Sequence, residues 1–259
     1  MIHPLTNIHP EAKIAPNVEI GPFVTIEKNV EIGEGTKILS NVTIFDGARI
    51  GRNCQIFPGA VISAVPQDLK FRGEESTVEI GDNNVIRECA TIHRGTASKG
   101  KTIVGNNCLI MAYSHIAHDC VLGNNIILGN ASQLAGEIRI YDWAILAGGV
   151  LVHQFCKIGA HSMIQGGSRL SKDVPPFVVA GREPPSYAGI NLIGLRRRNF
   201  TPEQIELIHN VYRLIYQSGL NHTDALKKIE ETLPSTNERN EIISFIRNSE
   251  RGILKGYKE

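Results

Sequence analysis

Aromatic side chains are scarce, 6% of the residues with one tryptophan, so a core of interlocked large rings is not what this chain builds. Charge of either sign is not in excess. A formal net charge of +1 gives no support to general attraction for nucleic acid or an anionic membrane surface. No run approaches the ~18 apolar residues of a membrane-spanning helix, and the opening MIHPLTNIHPEAKI lacks the apolar stretch of a signal peptide. A soluble, cytoplasmic protein with no integral membrane segment is expected. Cysteine is limited to five residues, an odd number with no CxxC pair, which argues against a disulfide framework.

What is abundant is glycine, isoleucine, valine and asparagine, and these recur in sixes. From Ile8 the chain reads IHPEAK, IAPNVE, IGPFVT, IEKNVE, IGEGTK, ILSNVT, IFDGAR, IGRNCQ, IFPGAV. The count resumes at Ile80 (IGDNNV, IRECAT, IHRGTA) and again at Val104, running to the hexad LSKDVP that opens at Leu170. The first residue is aliphatic and the fifth small, and Cys54, Cys108, Cys120 and Cys156 occupy fifth positions, as reduced packing residues. A sustained six-residue period predicts a mainly β fold, a parallel β-helix. First and fifth residues would point inward, and the Gly/Asn-rich third and fourth would make the corners. Two polar interruptions, 66–77 and 98–102, read as loops leaving the prism.

The period ends at VPPFVVAGREPPS, and helical spacing follows. Thr201-Pro202-Glu203-Gln204 reads as a capping box ahead of an apolar face of Ile205, Ile208, Val211, Tyr212 and Ile215, with Gly219 as the stop. Further helices are expected at 225–233, capped by Thr223 or Asp224, and at 240–248. The organisation predicted is a β-helix over 1–186 and a small α-helical domain over 187–259.

Three hexads per coil stack residues 18 apart. One corner then gathers His118, Asp119, Glu137, His153 and Gln154, with Gly136 directly above His118 and His115 just before the turn. A second edge runs Arg94, Ala112, Asn130, Gly148, Gly166 beside Gly95, Tyr113, Ala131, Gly149, Gly167, a shallow trough suited to an extended hydrocarbon chain. The stretch SHIAHDC (114–120) admits three readings: a metal site, idle surface histidines, or a general base. The two histidines occupy different hexad positions, which disfavours shared coordination. His118 followed by Asp119 fits an imidazole base oriented by a carboxylate, with the Gly136 N–H toward a developing oxyanion. No serine or cysteine is placed as a nucleophile, so direct attack by a substrate hydroxyl or amine is the expected chemistry.

The segments PQDLKFRGE (66–74), TIHRGT (91–96), SHIAHDC (114–120), LAG (134–136), VHQFCKIGAH (152–161), DVPPFV (173–178) and INLIGLRRRNF (190–200) together resemble the UDP-N-acetylglucosamine 3-O-acyltransferase family of hexapeptide-repeat enzymes, over essentially the whole chain. The resemblance implies a left-handed, three-sided β-helix and a homotrimer with active sites in clefts between subunits. It implies a 3-hydroxyacyl donor on acyl carrier protein, the 3-OH of UDP-GlcNAc as acceptor, and the first step of lipid A biosynthesis. No cofactor or metal is implied beyond the phosphopantetheine of the donor. By motif, His118 is the base, Asp119 its partner and Gly136 the oxyanion donor. His115, His153 and Gln154 line the sugar site; Gln67, Asp68 and Lys70 reach the sugar or phosphates; Asn191, Arg197 and Arg198 hold phosphate-bearing groups. Gly148 and Gly166 belong to the acyl trough. His93 is expected on another side of the prism, joining the site only from a neighbouring subunit.

Two residues depart from the family pattern. Glu137 follows LAG where the family usually has histidine, and Ile193 stands where it typically has an acid. A second carboxylate stacked over Asp119 would raise the base's pKa and favour a 3-amino analogue of UDP-GlcNAc as acceptor. Glu137 is therefore also counted among the substrate contacts. More distant alternatives are a metal-dependent hydratase and a non-catalytic trimeric subunit.

Overall fold

The computed structural model describes residues 1–256, so the last three residues of the expected helical part lie outside the described residues. The hexads fold as expected into a left-handed parallel β-helix. Among the described residues its faces are sheets of nine, eight and ten strands, most of them two residues long. Most strands end on the inward aliphatic residue of a hexad. Ile26, Ile44, Ile62, Ile92 and Ile116 stack up the nine-stranded sheet with at most 1% of their surface exposed. Full burial of each contributes about 1.5–3 kcal/mol.

The fourth residue of each hexad makes the turn. Asn17, Asn29, Asn41, Asn83, Asn107 and Asn125 all adopt φ between 52° and 59°, the left-handed region that asparagine tolerates best among residues with a Cβ. Fifth-position side chains close the interior with local hydrogen bonds. Ser114 and Ser132 hydroxyls donate to the carbonyls of Gly129 and Ala147 (both 3.0 Å). The four interior cysteines are free thiols there, and burial pushes Cys108 and Cys156 up to about 11 and Cys120 up to about 12. They stay protonated and inert at neutral pH.

Both interruptions leave from the same edge, between the nine- and eight-stranded sheets. They are shorter than expected at their C-terminal ends, because Thr77–Ile80 and Lys101–Val104 are four-residue strands that pair with each other, Thr77 opposite Lys101. The loops also change the count. Val61 pairs with Thr91, thirty residues on, and Thr91 with His115, twenty-four on. This corrects two expectations. Arg94 and Gly95 do not lie under Ala112 and Tyr113; that column continues down to Glu88, whose carbonyl receives the Tyr113 N–H. Arg94 follows the Thr91–His93 strand, on the His118 side.

The strand Val178–Gly181 extends the ten-stranded sheet in parallel with Met163–Ile164, and Ser186–Ile190 returns antiparallel beside it. This last strand crosses residue 187, where the helical part was expected to begin. Four helices follow: α1 (Leu192–Arg197), α2 (Pro202–Tyr216), α3 (His222–Thr232) and α4 (Asn237–Arg247). The capping box on α2 forms as read from the sequence, and Ile208, Val211, Tyr212 and Ile215 are its buried face. The caps of α3 and α4 are Asn221 and Thr236, so both helices start about a turn before their apolar periodicity does. The six-residue α1 was not expected. Tyr212 donates its hydroxyl to the Pro176 carbonyl, and Tyr187, Tyr212 and Tyr216 stack with centroids 4.3–6.0 Å apart, fastening α2 to the prism. No helix among the described residues is long and apolar enough to cross a membrane.

Candidate active site

At the edge that both loops leave, the coil containing SHIAHDC turns between His115–Ile116 and Val121–Leu122. Asp119 makes this turn with φ 60°. Its carboxylate is fully buried and lies 2.8 Å from His118 Nδ1. The carboxylate also accepts from the Thr96 N–H (3.0 Å), the Thr96 hydroxyl (2.6 Å) and the Lys99 N–H (3.2 Å), all from the second loop, which begins after the strand Thr91–His93 and so earlier than expected. An acceptor so placed keeps the proton on Nδ1 and leaves Nε2 as the basic nitrogen. On that side Asp68, from the first loop, brings its Oδ2 to 3.7 Å of Nε2.

The imidazole lies close against the next coil. A Cβ on Gly136 would fall 2.5 Å from the ring, so glycine is required there by the placement of His118. The first loop is held over the site by Glu74, which accepts the Ala97 N–H (2.8 Å), and by Phe71, whose ring sits under the Arg94 guanidinium at 5.7 Å.

A cavity of about 580 Å³ opens in front of His118. Its walls include Gln67, His115, Gly136, His153 and Gln154. They also include His93, which corrects its expected position on another side. The ring of His93 meets that of His115 edge-on with centroids 4.6 Å apart, within one chain. Counting back 18 residues across the second loop misplaced it; the true step is 24. His93 is held down to about 4, by burial first and then by His115 and His118. His115 is lowered too, by burial and then by His118, and its Nδ1 is 2.7 Å from the Thr91 hydroxyl. The histidines of SHIAHDC are therefore engaged by different partners. Arg169 and Ser171, not singled out from the sequence, line the far end.

Other predicted residues lie elsewhere. Lys70 is exposed and its N–H donates to Asp68 (2.8 Å), setting that side chain's turn. Glu137 does not line the cavity; its carboxylate pairs with Lys99 at 3.6 Å. A charge already matched by an ammonium is not the bare second carboxylate expected beside the dyad. Asn191 is buried as the N-cap of α1, accepting the Gly194 N–H and donating to the His161 carbonyl (2.8 Å). Arg198 ends α1 with its guanidinium 5.2 Å over the Trp143 ring and donates to the Trp143 carbonyl (3.1 Å). Arg197 is exposed beside it, as is Ile193. Trp143 turns the edge between the eight- and ten-stranded sheets, so this group does not meet His118 in one chain. Gly148 and Gly166 lie on the third edge, each followed by a glycine with φ above 70° (Gly149 and Gly167).

A larger cavity, about 800 Å³, opens near α1, α2 and Ser186–Ile190. Its Tyr187, Ile190, Leu192, Phe200 and Ile205 are packing groups, whereas the His118 cavity presents an imidazole oriented by a buried carboxylate.

Residues 173–254 match a family model described as UDP N-acetylglucosamine O-acyltransferase, domain 2, and residues 101–136 match the bacterial transferase hexapeptide model. An acyl-[acyl-carrier-protein]--UDP-N-acetylglucosamine O-acyltransferase from Xylella fastidiosa is 46% identical, over 98% of this chain and 98% of that relative. A UDP-N-acetylglucosamine acyltransferase structure from Bacteroides fragilis is 62% identical with a TM-score of 0.98, covering 98% of this chain and 100% of the other. The Francisella novicida enzyme of that name is 47% identical with a TM-score of 0.96, covering 98% and 94%. With identity this high sustained over nearly the full length, the chain belongs to the UDP-N-acetylglucosamine O-acyltransferase family.

Proposed function

We propose that this chain transfers a 3-hydroxyacyl group from acyl carrier protein to the 3-OH of UDP-GlcNAc, opening lipid A biosynthesis in the cytoplasm. The observation that carries this reading is the buried His118–Asp119 dyad, with Nε2 turned to a cavity and Asp68 across from it. The acceptor hydroxyl would enter between Nε2 and Asp68. As its oxygen attacks the thioester carbonyl, Nε2 takes the proton, and Asp119 stabilises the imidazolium. The Gly136 N–H would face the oxyanion. Collapse forms the ester, breaks the C–S bond and returns the proton from His118 to the departing phosphopantetheine thiol. The chain itself needs no cofactor for these steps.

A homotrimer is part of the proposal. The outward residues of the ten-stranded sheet change from Glu19, Lys37 and Gln55 in the first coils to Val85, Leu109, Ile127, Ile145, Met163 and Val179 above. An apolar ladder of that length on a sheet face favours packing against a neighbour. In such an assembly Asn191, Arg197 and Arg198, and the trough of Gly148 and Gly166, would serve the His118 cavity of an adjacent prism.

The O-acyl names of the relatives favour the hydroxyl over the 3-amino acceptor, and the pairing of Glu137 with Lys99 removes the charge argument for the latter. The test is acyl transfer from a panel of acyl carrier protein donors to UDP-GlcNAc and its 3-amino analogue. His118→Ala is expected to lower kcat by about 10²–10⁴. Full activity in that variant would overturn the mechanism.

A further inference from the structure

The ion pair between Lys99 and Glu137 takes no part in the steps above, yet it is built onto the dyad. Most of the donors that hold the Asp119 carboxylate come from one short turn. The Thr96 and Lys99 amides converge on it like an anion-binding nest, with the Thr96 hydroxyl beside them. The turn is closed by the Gly100 N–H on the Thr96 carbonyl (2.7 Å). It lies so close to the following strand that a Cβ on Gly95 would run into the Lys101 backbone.

The Lys99 side chain then crosses to the corner itself. Its Nζ donates to the Asp119 carbonyl (3.3 Å) and pairs with Glu137 Oε2 (3.6 Å) one coil higher. The Glu137 N–H in turn donates to the His118 carbonyl (3.0 Å). One lysine thus ties the turn, the dyad and the coil above. Neither Lys99 nor Glu137 lines the cavity, so a direct grip on the sugar is not what this geometry provides.

We propose that Lys99 and Glu137 are a positioning pair, whose ion pair clamps the 96–100 turn against the corner and so holds Asp119 in line with His118 Nδ1. The proposal rests on reading His118–Asp119 as the base. The side chains are 41% and 19% exposed, so solvent screens the pair and its effect is a tuning one.

Glu137→Gln and Lys99→Met are each expected to lower kcat by about three- to tenfold, with KM for the sugar nucleotide changed by less than about twofold. The double variant should lose no more than the worse single one. Lys99→Arg, which keeps a cationic donor for both the Asp119 carbonyl and Glu137, should retain most of the activity. Amide hydrogen exchange at Thr96 and Lys99, measured without substrate, should quicken in the single variants. A rise in KM with kcat intact would make Glu137 a substrate contact, and unchanged kcat with unchanged exchange would make the pair a surface feature; either result overturns the proposal. Exchange is read independently of turnover. Failure of the wild-type protein to acylate UDP-GlcNAc would thus strike the proposed function, while exchange still decides whether the clamp exists.

Discussion

The edge that carries His118 and the edge that carries Gly166 share one backbone. At both, the fourth hexad residue sits in the left-handed region, Asp119 at φ 60° and Ala131 at φ 57°. At the first, two loops leave the prism and fold back over the turn, burying Asp119 completely. At the second no side chain stands on Gly148 or Gly166, and a Cβ on Gly167 would meet nothing within 4 Å. The stacked turns are an indifferent support. Loops bring hydrogen-bond donors to the first corner, and the second is left bare of side chains.

Among glycine replacements on the two edges, the largest effect should come at the His118 corner. Gly136→Ala drives a methyl into the His118 ring, and displacing the base by about 1 Å costs about 10²-fold in kcat. Steady-state kinetics at saturating substrates would check it, with a thermal melt to show that the fold survives. A middle-sized effect is expected on the other edge. Gly166→Met fills the trough, and the ratio of kcat/KM for long over short donors should fall about tenfold. Unchanged donor preference would remove Gly166 as the determinant of chain length. The smallest effect concerns the support alone. Phe23→Asn, on a coil far from either site, places a residue suited to positive φ on an exposed turn and should stabilise by about 0.5–1 kcal/mol, raising Tm by about 1–3 °C. Activity should not change.

These edges also differ in how far they were legible from residues alone. The inward ladder of Ile26, Ile44, Ile62 and Ile116 follows from the period, because a two-residue strand has only one side that can be buried. The dyad was legible for the same reason: neighbouring residues at a corner both face outward. Counting failed at His93 and Arg94, since stacking fixes which strands pair and a loop can hold any number of residues between them. The Lys99–Glu137 pair joins residues 38 positions apart across such a loop, beyond what spacing reveals. Helix α1 escaped because six residues are too few for a helical period to declare itself, and its cap, Asn191, carried a different expectation.

The antiparallel strand Ser186–Ile190 has a consequence for what this molecule does not become. A stack of parallel coils has no intrinsic last member: its top rung offers unpaired amides and carbonyls to any strand of matching spacing, including the bottom rung of another copy. Reversing direction at the top and fastening α2 over the hairpin by stacked tyrosines occupies that template with the chain's own backbone. On the ten-stranded face the hairpin is thus a terminator, one of the elements that keep a fibre-like architecture finite.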